Sequence, residues 1–184
     1  MRRIRTSGRV RAARIAAGCV LAVVLAGCSS TAANQKTRAW FEDLCSTMND
    51  TRATLDSDQM PASDLTSPAA RQAMVDFYTR TITTYDRAVA ELSALEAPVR
   101  HEADQVRAAV LDQYRAVRLA YITIADVTRD HGDDVDVLLH AARQFADAVQ
   151  RAVDARAAAI EQIDSESNID TVRWNAMPCR DISF

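Results

Sequence analysis

From Thr37 onward the chain repeats apolar residues at intervals of three and four, the spacing that gathers them on one side of an α-helix. Four stretches carry it. The first, Thr37 to Asp56, aligns Phe41, Leu44, Met48 and Leu55. The second opens at Ser67-Pro68, a serine cap followed by proline at the first helical position, and runs to Leu95. In it Val75, Ile82 and Val89 alternate with Tyr78, Tyr85 and Leu92 as in a heptad. A break at Ala97-Pro98 opens the third, where Val99, Ala103, Val106, Val110, Tyr114, Val117, Tyr121 and Ile124 follow the same rule. It ends in a basic turn at Arg129 and at Gly132, a glycine able to take positive φ. The fourth begins at Asp133-Asp134 and carries Val135, Leu138, Leu139, Ala142, Phe145, Val149, Val153, Ile160 and Ile163. No segment after residue 36 alternates as a strand would.

Long amphipathic helices joined by three short connections favour antiparallel neighbours. The expected fold is all-α: an antiparallel up-down-up-down four-helix bundle with crossings of about 20°. Connectivity then puts residues 29–36, the Leu95 to Pro98 corner and the C-terminal tail at one end, and Ser57 to Thr66 with Asp130 to Asp134 at the other.

The start of the chain has another character. Arg2, Arg3, Arg5, Arg9, Arg11 and Arg14 form a basic region without an acid, and Ile15 to Ala26 form an apolar run too short to cross a ~30 Å hydrocarbon core as a helix. The run closes on Leu25-Ala26-Gly27-Cys28. This tetrapeptide resembles the lipobox of bacterial lipoproteins, in which small residues let a peptidase approach the backbone and the cysteine sulfur receives diacylglycerol. The resemblance implies a signal peptide over residues 1–27, cleavage before Cys28, and a lipidated cysteine whose amino group can take a further acyl chain such as palmitate; two or more chains suffice for stable anchoring. Residues 28–36 then form the lipidated cysteine and a small polar tether, whose seven residues Ser29 to Gln35 reach about 25 Å when extended. Residues 37–184 are the helical domain. The domain also bears a loose likeness to small uncharacterised helical lipoproteins of actinobacteria, which supplies no functional residues. Lys36, the only lysine against 21 arginines, and the abundant alanine agree with a high-GC genome.

An exported chain meets oxidising conditions, and with Cys19 in the leader and Cys28 lipidated, Cys45 and Cys179 are left to pair. Bundle connectivity brings both to the same end, so the tail is expected to be clamped by this disulfide.

Charge narrows the partners. Loss of the leader's six arginines takes 22 basic residues to 16 against 25 acids, a net charge of −9. Such a domain is repelled by phosphate backbones and anionic headgroups, which argues against nucleic acid and leaves the lipid as the membrane attachment.

Catalytic signatures are sparse. Gly132 is the only glycine after Cys28, which removes phosphate-cradling loops, dinucleotide fingerprints and the serine nucleophile elbow. The residues three before His101, His131 and His140 are Pro98, Thr128 and Val137, so the Glu-x-x-His pairs of a di-iron bundle are missing, as is Cys-x-x-Cys-His for haem attachment. Asp136 and His140 lack a third ligand. Asp56, Asp58 and Asp64 lack calcium-loop spacing, and the Asn49-Asp50-Thr51 sequon falls inside a helix. No enzyme activity, cofactor or metal is expected.

Two patterns remain. Tyr78 and Tyr85 on one helix and Tyr114 and Tyr121 on the next repeat at seven residues and interleave along one seam, either as core-edge rings or as the wall of a pocket for a small apolar ligand. Asp58, Met60, Asp64, Asp130 and Asp133 gather in the two loops of the far end, either as a solvated tip or as a surface for a basic partner. The expected role is a binding or interaction module, extracytoplasmic and lipid-anchored to the cell membrane, with an envelope protein as partner. The alternative is a carrier or sensor of a small hydrophobic ligand, a lipid or haem, held between the helices.

Overall fold

The computed structural model describes residues 12–61 and 67–182, with side chains from Thr31 onward. The leader's basic arm, the Cys28 side chain and Asp64 lie outside the described residues, and with them the expectations placed there. Five α-helices follow in order: α1 Ala12–Ser57, α2 Pro68–Ala94, α3 His101–His131, α4 Val135–Glu166 and the short α5 Ile169–Trp174, before a 3-10 turn over Met177–Asp181. No described residue lies in a strand.

The helix starts are set by their caps. Ser67 Oγ accepts from the Ala70 amide at 3.1 Å with Pro68 just inside α2, and Asp134 accepts from the amides of Asp136 and Val137, both at 3.1 Å, at the start of α4. Helix α3 begins at His101, later than its sequence break suggests, which leaves Val99 exposed in the corner. Gly132 corrects an expectation: its φ is −67°, not positive. The residue is small because a Cβ there would sit 2.4 Å from Arg71 Cδ and from the Thr128 carbonyl oxygen. Space, not conformation, selects the glycine.

Ser29 to Gln35 also differ from the extended tether expected of them. They are helical and continue α1, where alanine favours the helix and the Thr37 hydroxyl donates back to the Ala33 carbonyl at 2.9 Å. As helix these seven residues cover about 10 Å.

Four long helices pack as a bundle, each on its sequence neighbour. Between α1 and α2 the partners run in opposite order, Trp40 with Glu96, Thr54 with Arg87 and Asp58 with Arg80. Helices α1 and α4, which a closed bundle would bring together, are not packed along each other. The tail fills the space beside α1 instead: α5 and the 3-10 turn lie on it, and Cys45 is bonded to Cys179 with a Cα separation of 5.1 Å.

The core collects at this clamped end, where Phe41, Leu44, Leu92, Val106, Val110 and Ile169 are fully buried. Polar ties hold its rim. Trp40 Nε1 donates to the Glu96 carbonyl at 2.7 Å, Arg107 lies over the Trp40 ring and donates to the Leu95 carbonyl, Asn49 donates to the Pro178 carbonyl, and Arg173 grips Asp164 through two bonds. Asn49 of the sequon is thus engaged with the tail.

Candidate functional site

The four tyrosines do form one seam. Tyr78 meets Tyr121 at 6.0 Å between ring centroids, Tyr85 meets Tyr114 at 5.4 Å and Tyr121 at 6.0 Å, and Tyr121 extends the row to Phe145 of α4 at 4.8 Å. Pairing 78 with 121 and 85 with 114 means that α2 and α3 run antiparallel, as interleaving required. Tyr85 and Tyr121 stack while the other pairs are edge-to-face or tilted, so ring packs on ring along the seam. Burial raises the pKa of all four phenols, with Tyr114 pushed up to about 12 and Tyr85 higher still. At neutral pH they are uncharged and act as hydrogen-bond groups and ring surface, not as bases.

Beside Tyr114 stands Arg156 of α4, half-buried, its pKa lowered by desolvation and partly restored by the phenol. These two line a small space of about 200 Å³ with Met48, Asn49, Arg52 and Ile182. Residues of α1, α4 and the tail meet there, and no pattern in the sequence signalled it: an arginine on an alanine-rich helix reads as solvent-facing.

The acidic tip is stepped rather than level. Asp58 is bound by Arg80 through its Nε and Nη2 at 2.9–3.2 Å, whereas the Gly132 turn lies against Arg71. Arg80 lies nine positions after Arg71 on α2, so α1 ends about 13 Å short of the α3–α4 turn. Asp58 is therefore committed within the fold. Met60 is 63% exposed in the lower loop, while Asp130 and Asp133 are exposed at the upper turn.

The upper part of α4 packs on α3 alone, since α1 does not lie along it, and is thinly covered. Val135 is 66% exposed, and Leu139 and Ala142, expected in the core stripe, face solvent; Ala141 and Ala152 are buried in their place. Small side chains let α4 approach α3 closely and so take the contact that the larger residues were expected to make.

This close approach leaves a groove on the outer flank of α3 and α4, about 770 Å³ in volume. Its floor is Ala120, Ile124, Ala141, Phe145 and Ala152; its walls are Ala116, Ala148 and Ala155 with Asp147 and Arg151 at the lip. Leu119 stands on the α3 wall, 61% exposed. None of the four tyrosines lines the groove: the seam and the opening lie on different flanks of α3 and share only Phe145.

Among the described residues no three His, Cys, Asp or Glu side chains gather as metal ligands, and no helix is long and apolar enough to cross a membrane. No family model, curated protein or solved structure matches the chain.

Proposed function

We propose that the chain is a bacterial envelope lipoprotein, cut before Cys28, lipidated there, and held outside the cell membrane as a non-enzymatic module that binds a protein partner. The lipobox and the short apolar run support the anchor. With α1 and α2 antiparallel, and α2 and α3 likewise, the same sense continued into α4 makes an up-down-up-down bundle whose clamped core end is nearest the bilayer.

The observation that carries the binding role is the α3–α4 groove with Leu119 exposed on its wall. An apolar cleft of about 770 Å³ beside an uncovered leucine is a surface that gains from being covered. Its form favours a protein segment: alanine walls allow a helix to lie close, and an open trough leaves much of a small ligand wet, whereas ligand pockets bury roughly 70–90% of theirs. The volume alone also fits the alternative, a carrier of a small hydrophobic molecule. Within that alternative a lipid chain suits the lining better than haem, since the groove is lined by no His, Cys, Met or Tyr that could ligate iron.

In-cell cross-linking tests the reading. Leu119→Arg removes the groove-specific adducts while Val135→Arg, on exposed α4 surface, retains them; equal adducts in both variants move the binding site elsewhere. Lipid extraction of the purified membrane form decides for the carrier if stoichiometric lipid is recovered and is lost in Leu119→Arg.

A further inference from the structure

We propose that the partner in the α3–α4 groove is a second copy of this chain, related by a twofold axis that crosses α4 near Ala148. The inference rests on the groove being a docking surface and identifies its occupant.

Three features of the groove are self-complementary. Ala141, Ala148 and Ala155 line it at intervals of seven residues, so a second α4 running antiparallel about Ala148 sets small residue against small residue along about four turns. Leu119, on the facing wall, is a large apolar knob exposed beside the alanine hollow, and twofold symmetry gives each copy both the knob and the hollow. The charges at the lip complete the match. Asp147 and Arg151 are spaced four apart on one helix, an arrangement that allows an ion pair, and Arg87 with Glu91 makes one at such spacing. Yet neither Asp147 nor Arg151 makes an ion pair or side-chain hydrogen bond among the described residues. An antiparallel copy about Ala148 brings each Asp147 to about 3 Å along the helix from the level of the other copy's Arg151, close enough for two equivalent pairs at the rim of an apolar contact.

Charge pairing across the axis also distinguishes a second copy from an unrelated helix, since a copy supplies the same acid and base in reversed order, one on each side of the centre. The commitment is therefore to a symmetric dimer, which places two lipid anchors under one assembly.

The test uses the full chain in its native membrane, with Ala148→Cys as a reporter on the axis, exposed to mild oxidant and resolved without reductant. A band at twice the monomer mass is expected, lost on adding Asp147→Arg and recovered on further adding Arg151→Asp, which restores opposite charges across the axis. Failure to dimerise while the introduced thiol stays shielded from maleimide overturns self-association but leaves the groove as a docking surface for another molecule. Failure with that thiol fully reactive overturns both. Dimers indifferent to the two charge changes also overturn the proposed register.

Discussion

Asp58 of the α1–α2 loop is held by Arg80 at 2.9 Å, well down α2 from the turn that Gly132 forms against Arg71. The pair marks where α1 ends along α2. Measured along α2, the first helix stops about 13 Å short of the α3–α4 turn. Water screens the Arg80 guanidinium, so the bond is a register mark more than a source of stability.

The clamped end should carry most of the stability. Cys45 and Cys179 are buried and close a loop with a sequence separation of 134 residues. Replacing both by alanine is expected to cost up to about 5 kcal/mol in the chain-entropy picture, read by urea unfolding, and to expose the tail to protease. Non-reducing peptide mapping of exported protein should recover the two cysteines as one species. Freely alkylatable thiols before unfolding contradict the clamp.

Trp40 ties α1 to the α2–α3 corner through the Glu96 carbonyl and lies under Arg107. Trp40→Phe keeps most of the ring but loses the donor, and should cost about 1 kcal/mol. Trp40→Ala also opens a cavity in the core cluster and should cost about 3–5 kcal/mol. Equal losses in the two variants would mean that the ring contributes nothing beyond its hydrogen bond.

Burial of the tyrosine seam makes stability depend on pH in the alkaline range. A phenol with an unfolded pKa near 10 and a folded value raised to about 12, as for Tyr114, releases its proton first from the unfolded chain. Stability is therefore full below pH 10 and falls as pH rises toward 12, by about 1.4 kcal/mol per pH unit for one such group in that window. Ultraviolet titration should show the phenols of the native protein ionising later than those of the urea-unfolded chain. Superimposed curves contradict the packing of the seam.

Gly132 offers a separate check, because its backbone is one alanine readily adopts. If space is what matters, Gly132→Ala should still destabilise by about 1–3 kcal/mol, and shortening Arg71 to alanine should recover only part of it, since the Thr128 carbonyl remains in the way. A neutral Gly132→Ala would mean that the turn relaxes freely.

Much of the fold could be read from the chain because strong local signals coincided. Ser67-Pro68 and Asp134 start their helices as their chemistry requires, the heptads of α2 and α3 meet in the tyrosine seam, and two leftover cysteines are bonded. The groove could not be read. A stripe drawn through Val135 and Leu139 follows the larger side chains, whereas α4 meets α3 through Ala141 and Ala152, whose small size permits the approach. Loop length was equally silent about the stepped tip, which only the Asp58–Arg80 contact reveals.

Whether the outer flank of α3 and α4 is covered in the cell is decided by thiol accessibility. Leu119→Cys and Val135→Cys, each in the otherwise native chain, are exposed to a membrane-impermeant maleimide on intact cells whose envelope admits the reagent, and again after purification and urea unfolding. Both substitutions replace residues that are more than half exposed in the isolated chain. The thiol introduced at position 135 should label in both settings, whereas the one at position 119 should be protected on cells and label fully once unfolded. Equal and rapid labelling of both on cells would leave the groove open and refute a binding role for it.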